Sequence, residues 1–263
     1  MKIGIIGLGD IAQKAYLPIL TQMPNVELVL CSRTPDILTA LQSKYRVSSS
    51  TTDYQTLPKL GVDAVMIHAA TSAHQEIAKF FLSLHIPTFV DKPLTTNGAE
   101  CEKLFSYAAR QSVPLYMGFN RRHLPLISPM LTGSQGQLKA LRWEKHRCNL
   151  PGDIRTFIFD DFIHPLDSIN LTAKADLENA MLLKQHDTSH QLSRLDLMFE
   201  ANGTQFYASM NRLNGVTQEV VTADFINQRF QFESFVKGVK FQDNASSIIQ
   251  LPDWTTMLAS KGF

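Results

Sequence analysis

Short β-branched runs and longer stretches of helical spacing alternate through the first 120 residues. Runs at 2–6, 26–31, 64–68, 88–90 and 115–117 read as strands, and the segments near 10–22, 35–45, 73–84 and 97–111 read as helices. That rhythm predicts βαβ units with right-handed crossovers, hence a doubly wound parallel sheet covered on both faces. After about residue 125 the pattern becomes one of period two, as in Leu195, Leu197, Phe199 and then Phe206, Ala208, Met210. Two Asn-Gly pairs, Asn202-Gly203 and Asn214-Gly215, punctuate these runs and predict a β-meander with tight turns. One helical segment from about 160 to 172, DDFIHPLDSINL, interrupts the second half. The fold expected is α/β plus α+β: an N-terminal doubly wound (Rossmann) sheet over 1–120, then an open, mainly antiparallel sheet domain over 121–263. The aromatic residues Phe206, Phe230, Phe232 and Phe235 read as sheet core.

Composition narrows the class. A chain of 263 residues, 44% hydrophobic, can bury a substantial core. Its 25 Lys plus Arg against 24 Asp plus Glu leave a charge of +1 and no basic block, which argues against a nucleic-acid partner. No apolar run approaches the ~18 residues that span a bilayer, and no secretory pattern follows Met1, so neither membrane nor export is expected and a cytoplasmic location is. Cys31, Cys101 and Cys148 are odd in number and widely spaced, which predicts free thiols rather than disulfides or a zinc site.

The chemistry begins at GLGDIA, residues 7–12, which follows the first strand and opens a helix. Gly7 suits the tight turn, Gly9 lets a pyrophosphate near the backbone, and Ala12 lets the helix lie close on the strand; Asp10 and Ile11 stand at the helix start beside the phosphates. At the end of the second strand Ser32 and Arg33 stand where an acidic residue would select NAD. A hydroxyl and a guanidinium suit a 2′-phosphate, so NADP is expected over NAD, the alternative being a solvated arginine. Ala69, Thr71 and His74 belong to the loop and helix start after the third strand, near the nicotinamide ribose. FVDKPL, residues 89–94, ends another strand with Asp91, Lys92 and Pro93; the proline holds Lys92 extended and makes a cis bond cheap.

GLGDIA, VDAVMIHAATSAHQEIA (62–78), FVDKPL, YMGFNRRHLP (116–125) and DDFIHPLD (160–167) together resemble the Gfo/Idh/MocA family of nicotinamide-dependent oxidoreductases, and DWTTMLASKGF (253–263) resembles its MviM-like branch. The resemblance implies a dimer formed through the C-terminal sheet, relatives that continue past Phe263 into another helix, and a small-molecule substrate such as a sugar or cyclitol. It also implies that Lys92 reaches between nicotinamide and substrate, that His164 is the acid/base, and that Asp160 orients it or the substrate hydroxyl. On a helix, Asp160, His164 and Asp167 share one face. Pro165 disturbs that spacing unless the helix starts near Asp161. A metal site at Asp160, Asp161, His164 and Asp167 is not expected, because a second histidine at ligand spacing is missing. Asn120 and Arg122, in GFNRRH, are further candidates, Asn120 for the cofactor and Arg122 for the substrate or for an ion pair. His68 and Ala70 depart from the family pattern, small and proline respectively, and predict an altered pocket wall. A non-catalytic NADP-binding sensor is the rival reading.

Overall fold

The computed structural model describes residues 1–132, 136–253 and 255–263, and the chain divides into two compact units, Met1–Gly118 and Phe119–Phe263. Trp254, within the stretch that carries the branch resemblance, lies outside the described residues.

The first unit is a six-stranded parallel sheet in the order β3-β2-β1-β4-β5-β6, built from β1 (Lys2–Ile6), β2 (Glu27–Cys31), β3 (Ser49–Thr51), β4 (Ala64–Ile67), β5 (Thr88–Asp91) and β6 (Leu115–Gly118). This is the doubly wound order with its switch point between β1 and β4. Strand alternation divides the core: Ile3 and Ile5 pack with Leu17, Leu28, Leu30 and Leu38 on one face, while Ile6, Val29, Val65 and Val90 pack with Phe81 and Leu104 on the other. The helices are α1 (Leu17–Leu20), α2 (Pro35–Tyr45), α3 (Thr71–Ser83) and α4 (Gly98–Gln111). Their ends follow local chemistry: Pro35 opens α2, Arg46 closes it in the left-handed region, and the Asn97 side chain accepts from the Glu100 amide to cap α4. Before α1, residues Ala12–Tyr16 form π-helical turns. The short strand β3 is an addition to the five expected; Ser49–Thr51 is too brief and polar to show a period.

The second unit is an eight-stranded sheet in the order β14-β13-β12-β11-β7-β10-β9-β8. Its strands are β7 (Leu138–His146), β8 (Met181–His186), β9 (Leu192–Ala201), β10 (Thr204–Asn211), β11 (Gln218–Phe225), β12 (Gln228–Phe232), β13 (Lys237–Gln242) and β14 (Ala245–Gln250). Asn202-Gly203 forms the tight turn of the β9–β10 hairpin, both residues having positive φ. Asn214-Gly215 does not make a hairpin. β7 lies between β10 and β11, pairing parallel with one and antiparallel with the other, so the chain crosses over there and the expected meander is broken. The true two-residue turns downstream are Ile226-Asn227 and Asp243-Asn244. One sheet face is covered by a continuous helical path: α6 (Ile154–Thr156), π-helical turns over Phe157–Phe162, and α7 (Ile163–Ala173), with α5 (Ser128–Thr132) before it. Trp143, Phe157, Phe162, Ile169, Phe206, Phe230 and Phe232 form this core, with Phe235 packed at its margin. Among the described residues no helix is long and apolar enough to cross a membrane.

Candidate active site

At the carboxyl ends of β1, β2 and β4 the first unit opens a cleft of about 470 Å³, lined by Gly7, Gly9, Ser32, Arg33, Ala69 and residues of the α3 start. Gly7 has φ +87°, and a Cβ there would run into the Ala69 backbone; this turn is closed against the β4–α3 loop and only glycine fits it. A Cβ at Gly9 would meet nothing within 4 Å, so its backbone lies open to the cleft. Ala12 is fully buried beneath the helix. Arg33 is exposed, and the Ser32 hydroxyl accepts from the Thr34 amide at 3.3 Å. These residues fit a dinucleotide: glycine backbone for phosphate, a guanidinium and a hydroxyl at the β2 end.

Asp10 and Ile11 begin the helix but do not line the cleft; the Asp10 carboxylate is paired with Lys14. Thr71 is the first residue of α3, behind Ala70. His74 is buried, and its ring nitrogens lie 2.8 Å from the carbonyl oxygens of Pro93 and Ala69. Carbonyls only accept and a neutral imidazole carries one N–H, so the ring donates to one of the two carbonyls and packs its other nitrogen against the second, between the β4–α3 loop and the turn after β5. His74 thus stands between two loops beside the cleft, where its contacts within the protein are to backbone carbonyls. Sequence pattern did not point to Thr52, Tyr54 or Glu76, which complete the cleft wall, Tyr54 donating to Glu76 at 2.9 Å. Thr52 and Tyr54 follow β3, the strand without a visible period, and Glu76 lies on α3. Burial pushes the Cys31 thiol, on the cleft floor, up to about 12, with help from the Asp53 charge.

Lys92 stands at the carboxyl end of β5, its peptide bond to Pro93 cis and its own amide donating to the Asp91 carboxylate at 2.8 Å. Backbone and neighbour together aim the lysine. His68 follows β4, its side chain wholly buried beside Tyr16, 4.2 Å between ring centres, with Nδ1 3.6 Å from an Asp91 oxygen. Neither His68 nitrogen has a hydrogen-bond partner among the described residues. The altered wall expected here is therefore an aromatic and imidazole layer packed against the carboxylate that holds Lys92. Burial, then the Asp91 and Tyr116 charges, push the Tyr16 hydroxyl above its ordinary range.

In the second unit His164 is buried on α7, and Arg121 Nη1 lies 3.0 Å from its Nδ1. A guanidinium has no acceptor, so Nδ1 receives that bond and the ring proton sits on Nε2. In this tautomer the imidazole is an Nε2 donor. The expected start of its helix near Asp161 is revised. The path begins at α6, and π turns lead into Pro165, whose missing amide would have faced the Asp161 carbonyl; Ile163 donates there instead. The shift in phase matters, because Asp160 is exposed while Asp161 is buried. Asp161, not Asp160, shares the inward face with His164. It accepts from Lys145 Nζ at 2.8 Å, Arg147 Nη2 at 2.7 Å and Arg212 Nη2 at 2.9 Å.

Burial alone would raise the Asp161 carboxyl, but hydrogen bonds and charge from Arg147 and Lys145 overrule it and hold it well below the carboxylate range. Lys145 gains less from the same pair. Burial and the Arg121 charge push its ammonium down to about 7 against the pull of Glu219 and Asp161. The asymmetry is physical: the carboxylate accepts from three cations, whereas Lys145 bears near-complete burial and the repulsion of Arg121 against its two carboxylates. Glu219 is also held low against its burial, first by the Arg121 charge and then by its hydrogen bonds. Asp167 accepts from Arg122 Nε at 2.9 Å, an ion pair within the second unit rather than the one between domains expected as the alternative to a substrate contact. Asn120, expected at the cofactor, donates to the Lys261 carbonyl at 2.7 Å and accepts from Arg121 at 3.2 Å, tying the chain's end down.

Residues 1–119 match the family described as "Oxidoreductase family, NAD-binding Rossmann fold", GFO_IDH_MocA. A solved Gfo/Idh/MocA oxidoreductase from Vibrio cholerae is 54% identical, with a TM-score of 0.95, covering 100% of this chain and 86% of that one. The chain belongs to the Gfo/Idh/MocA oxidoreductase family. The dehydrogenase MviM from Clostridium difficile is 26% identical with a TM-score of 0.93 over 100% of this chain and 86% of that one, in line with the MviM-like branch. The YceM protein of Salmonella typhimurium is 31% identical over 100% of this chain and 86% of its own length. The myo-inositol dehydrogenase Hyg17 of Streptomyces leeuwenhoekii is 26% identical over 64% of this chain and 54% of that protein. Membership makes the chain an oxidoreductase with a nicotinamide-dinucleotide fold. The residues that pattern reading missed are Lys145, Arg147, Arg212 and Glu219. The signal was present as charged residues that continue the inward-facing strand rows.

Proposed function

We propose that this protein is an NADP-dependent oxidoreductase that moves hydride between the nicotinamide and a hydroxyl or carbonyl carbon of a sugar, cyclitol or similar small molecule. The observation that carries the reading is Lys92, set at the end of a central strand by Asp91, by Pro93 and, through the Pro93 carbonyl, by His74. NADP is favoured over NAD by Ser32 and Arg33 at the cleft. Substrate class rests on the relatives, among them the inositol dehydrogenase Hyg17. The nicotinamide, when bound, supplies or accepts the hydride.

The remaining work belongs to side chains. Lys92 brings a cation to the reacting oxygen and exchanges its proton, since an ammonium can release one and an amine can take one. His164, held as an Nε2 donor by Arg121, is the second hydrogen-bond donor proposed for the substrate. Asp160, exposed on the π turns, holds a second substrate hydroxyl. The site so proposed is in a homo-oligomer joined through the C-terminal sheet. Met181 and Met198, cross-strand neighbours on the face turned from the core, are 60% and 46% exposed and support that surface. A cytoplasmic setting agrees with Cys31, Cys101 and Cys148 as free thiols.

Substitution at Lys92 tests the reading. Lys92→Ala is expected to abolish turnover and spare NADP binding. Lys92→Arg keeps the cation and loses the exchangeable proton, so turnover should fall by about 10²-fold or more. Steady-state rates with a polyol panel, alongside NADP titration, decide it; normal turnover in Lys92→Ala overturns the assignment.

A further inference from the structure

Three strands of the second unit carry inward-facing rows that change from apolar to charged. On β7, Leu141 and Trp143 lead into Lys145 and, just past the strand's end, Arg147; on β10, Phe206, Ala208 and Met210 lead into Arg212, just past its end; on β11, Glu219 precedes Val221 and Ala223. β7 and β10 run parallel, β11 runs antiparallel to β7, and Glu219 pairs with Lys145, so the charged ends of all three rows lie at one end of the sheet. The helical path places Asp161 against them. Arg121 adds a fourth cation, donating to Glu219 through Nη2 at 2.7 Å, and Trp143 Nε1 donates to the same carboxylate at 2.7 Å.

Four basic side chains thus share two carboxylates, Asp161 and Glu219, in a region where Lys145 and Arg212 are each 4% exposed. Buried Arg212 Nε has no partner among the described residues. Surplus positive charge out of water is costly unless an anion completes it. A fold with no use for that surplus would place apolar side chains here, as these rows do one residue pair earlier. The layer opens to solvent at Arg147, whose side chain is 34% exposed. His164 joins the layer through Arg121.

We propose that the substrate is anionic, and that its carboxylate or phosphate docks on this layer through Arg147. The inference rests on the oxidoreductase reading above for the reacting end of the molecule. It adds the group that binds: a polyol or sugar bearing carboxylate or phosphate oxygens, held by bidentate guanidinium contact. Lys145, faced by Arg121, Glu219 and Asp161 and sharing that last carboxylate with Arg147 and Arg212, gives the site its pH response. Its ammonium, pushed down to about 7, is charged below that value and would be drawn upward by a bound anion, so affinity falls as pH rises through 7.

Titration calorimetry on the full chain, with and without NADP, tests this with D-gluconate, D-glucose 6-phosphate and D-glucose as probes. At least one of the two anions is expected to bind about tenfold or more tightly than glucose, and which one tells carboxylate from phosphate. Arg147→Gln should remove about tenfold of that preference and Arg147→Lys should retain part of it, with circular dichroism confirming both folds. Equal binding of glucose, no binding of either anion, or an anion affinity indifferent to both substitutions would overturn the proposal. Calorimetry needs no turnover: anion binding without nicotinamide reduction counts against the oxidoreductase reading alone, and turnover of neutral polyols without anion preference counts against this inference alone.

Discussion

Arg33 and His164 show how one neighbour decides what a residue can do. Arg33 is exposed at the cleft and keeps the freedom to meet a 2′-phosphate. Arg33→Ala is accordingly expected to weaken NADP about tenfold or more while leaving NAD nearly unchanged, measured by fluorescence titration of both cofactors. Equal losses would refute the 2′-phosphate contact. His164 was visible in the sequence as a histidine among acids, yet its tautomer comes from Arg121, 43 positions away. No local pattern carries that information. His74 makes the same point: its place among cofactor residues follows from chain position, whereas its two carbonyl partners come from separate loops.

At the scale of elements, periodicity served where one face was apolar and failed where charge replaced it. Strands β1 and β2 were legible because both faces of a central parallel strand are apolar. The inward rows of β7 and β10 were legible until they reached Lys145 and Arg212, since an amphipathicity argument treats a charged residue as an outward one. The helical path over 154–173 was predicted too short, because Pro165 suggested a start where the backbone instead changes to π turns. Lys145 gives this layer a measurable signature. Its folded ammonium is pushed down to about 7 while the unfolded one stays near 10.5, so between these values the unfolded chain binds the extra proton and stability rises with pH. The rise should approach about 1.4 kcal/mol per pH unit from this group in mid-window, and it should be missing in Lys145→Gln. Urea midpoints for both proteins across pH 7 to 10 check this; identical slopes would mean that Lys145 titrates normally.

For the whole molecule, the homo-oligomer proposed above would be joined through the outer sheet face. Met181→Asp with Met198→Asp places like charges on cross-strand neighbours and is expected to convert a dimer to a monomer in sedimentation velocity, with the fold intact. A dimer that survives would move the interface elsewhere. The sequence by itself determined five of the six strands of the first unit, the glycine turn and the strand end that carries Lys92, because each depends on neighbours within one βαβ unit, and it carried the family through motifs spread along the whole chain. Only tertiary structure decided the insertion of β7 between β10 and β11, the choice of Asp161 over Asp160, and the gathering of Arg121, Lys145, Arg147 and Arg212 around two carboxylates. Those outcomes depend on long-range register and on how a helix phases over a sheet, and the energy that sets them is shared among residues far apart in the chain.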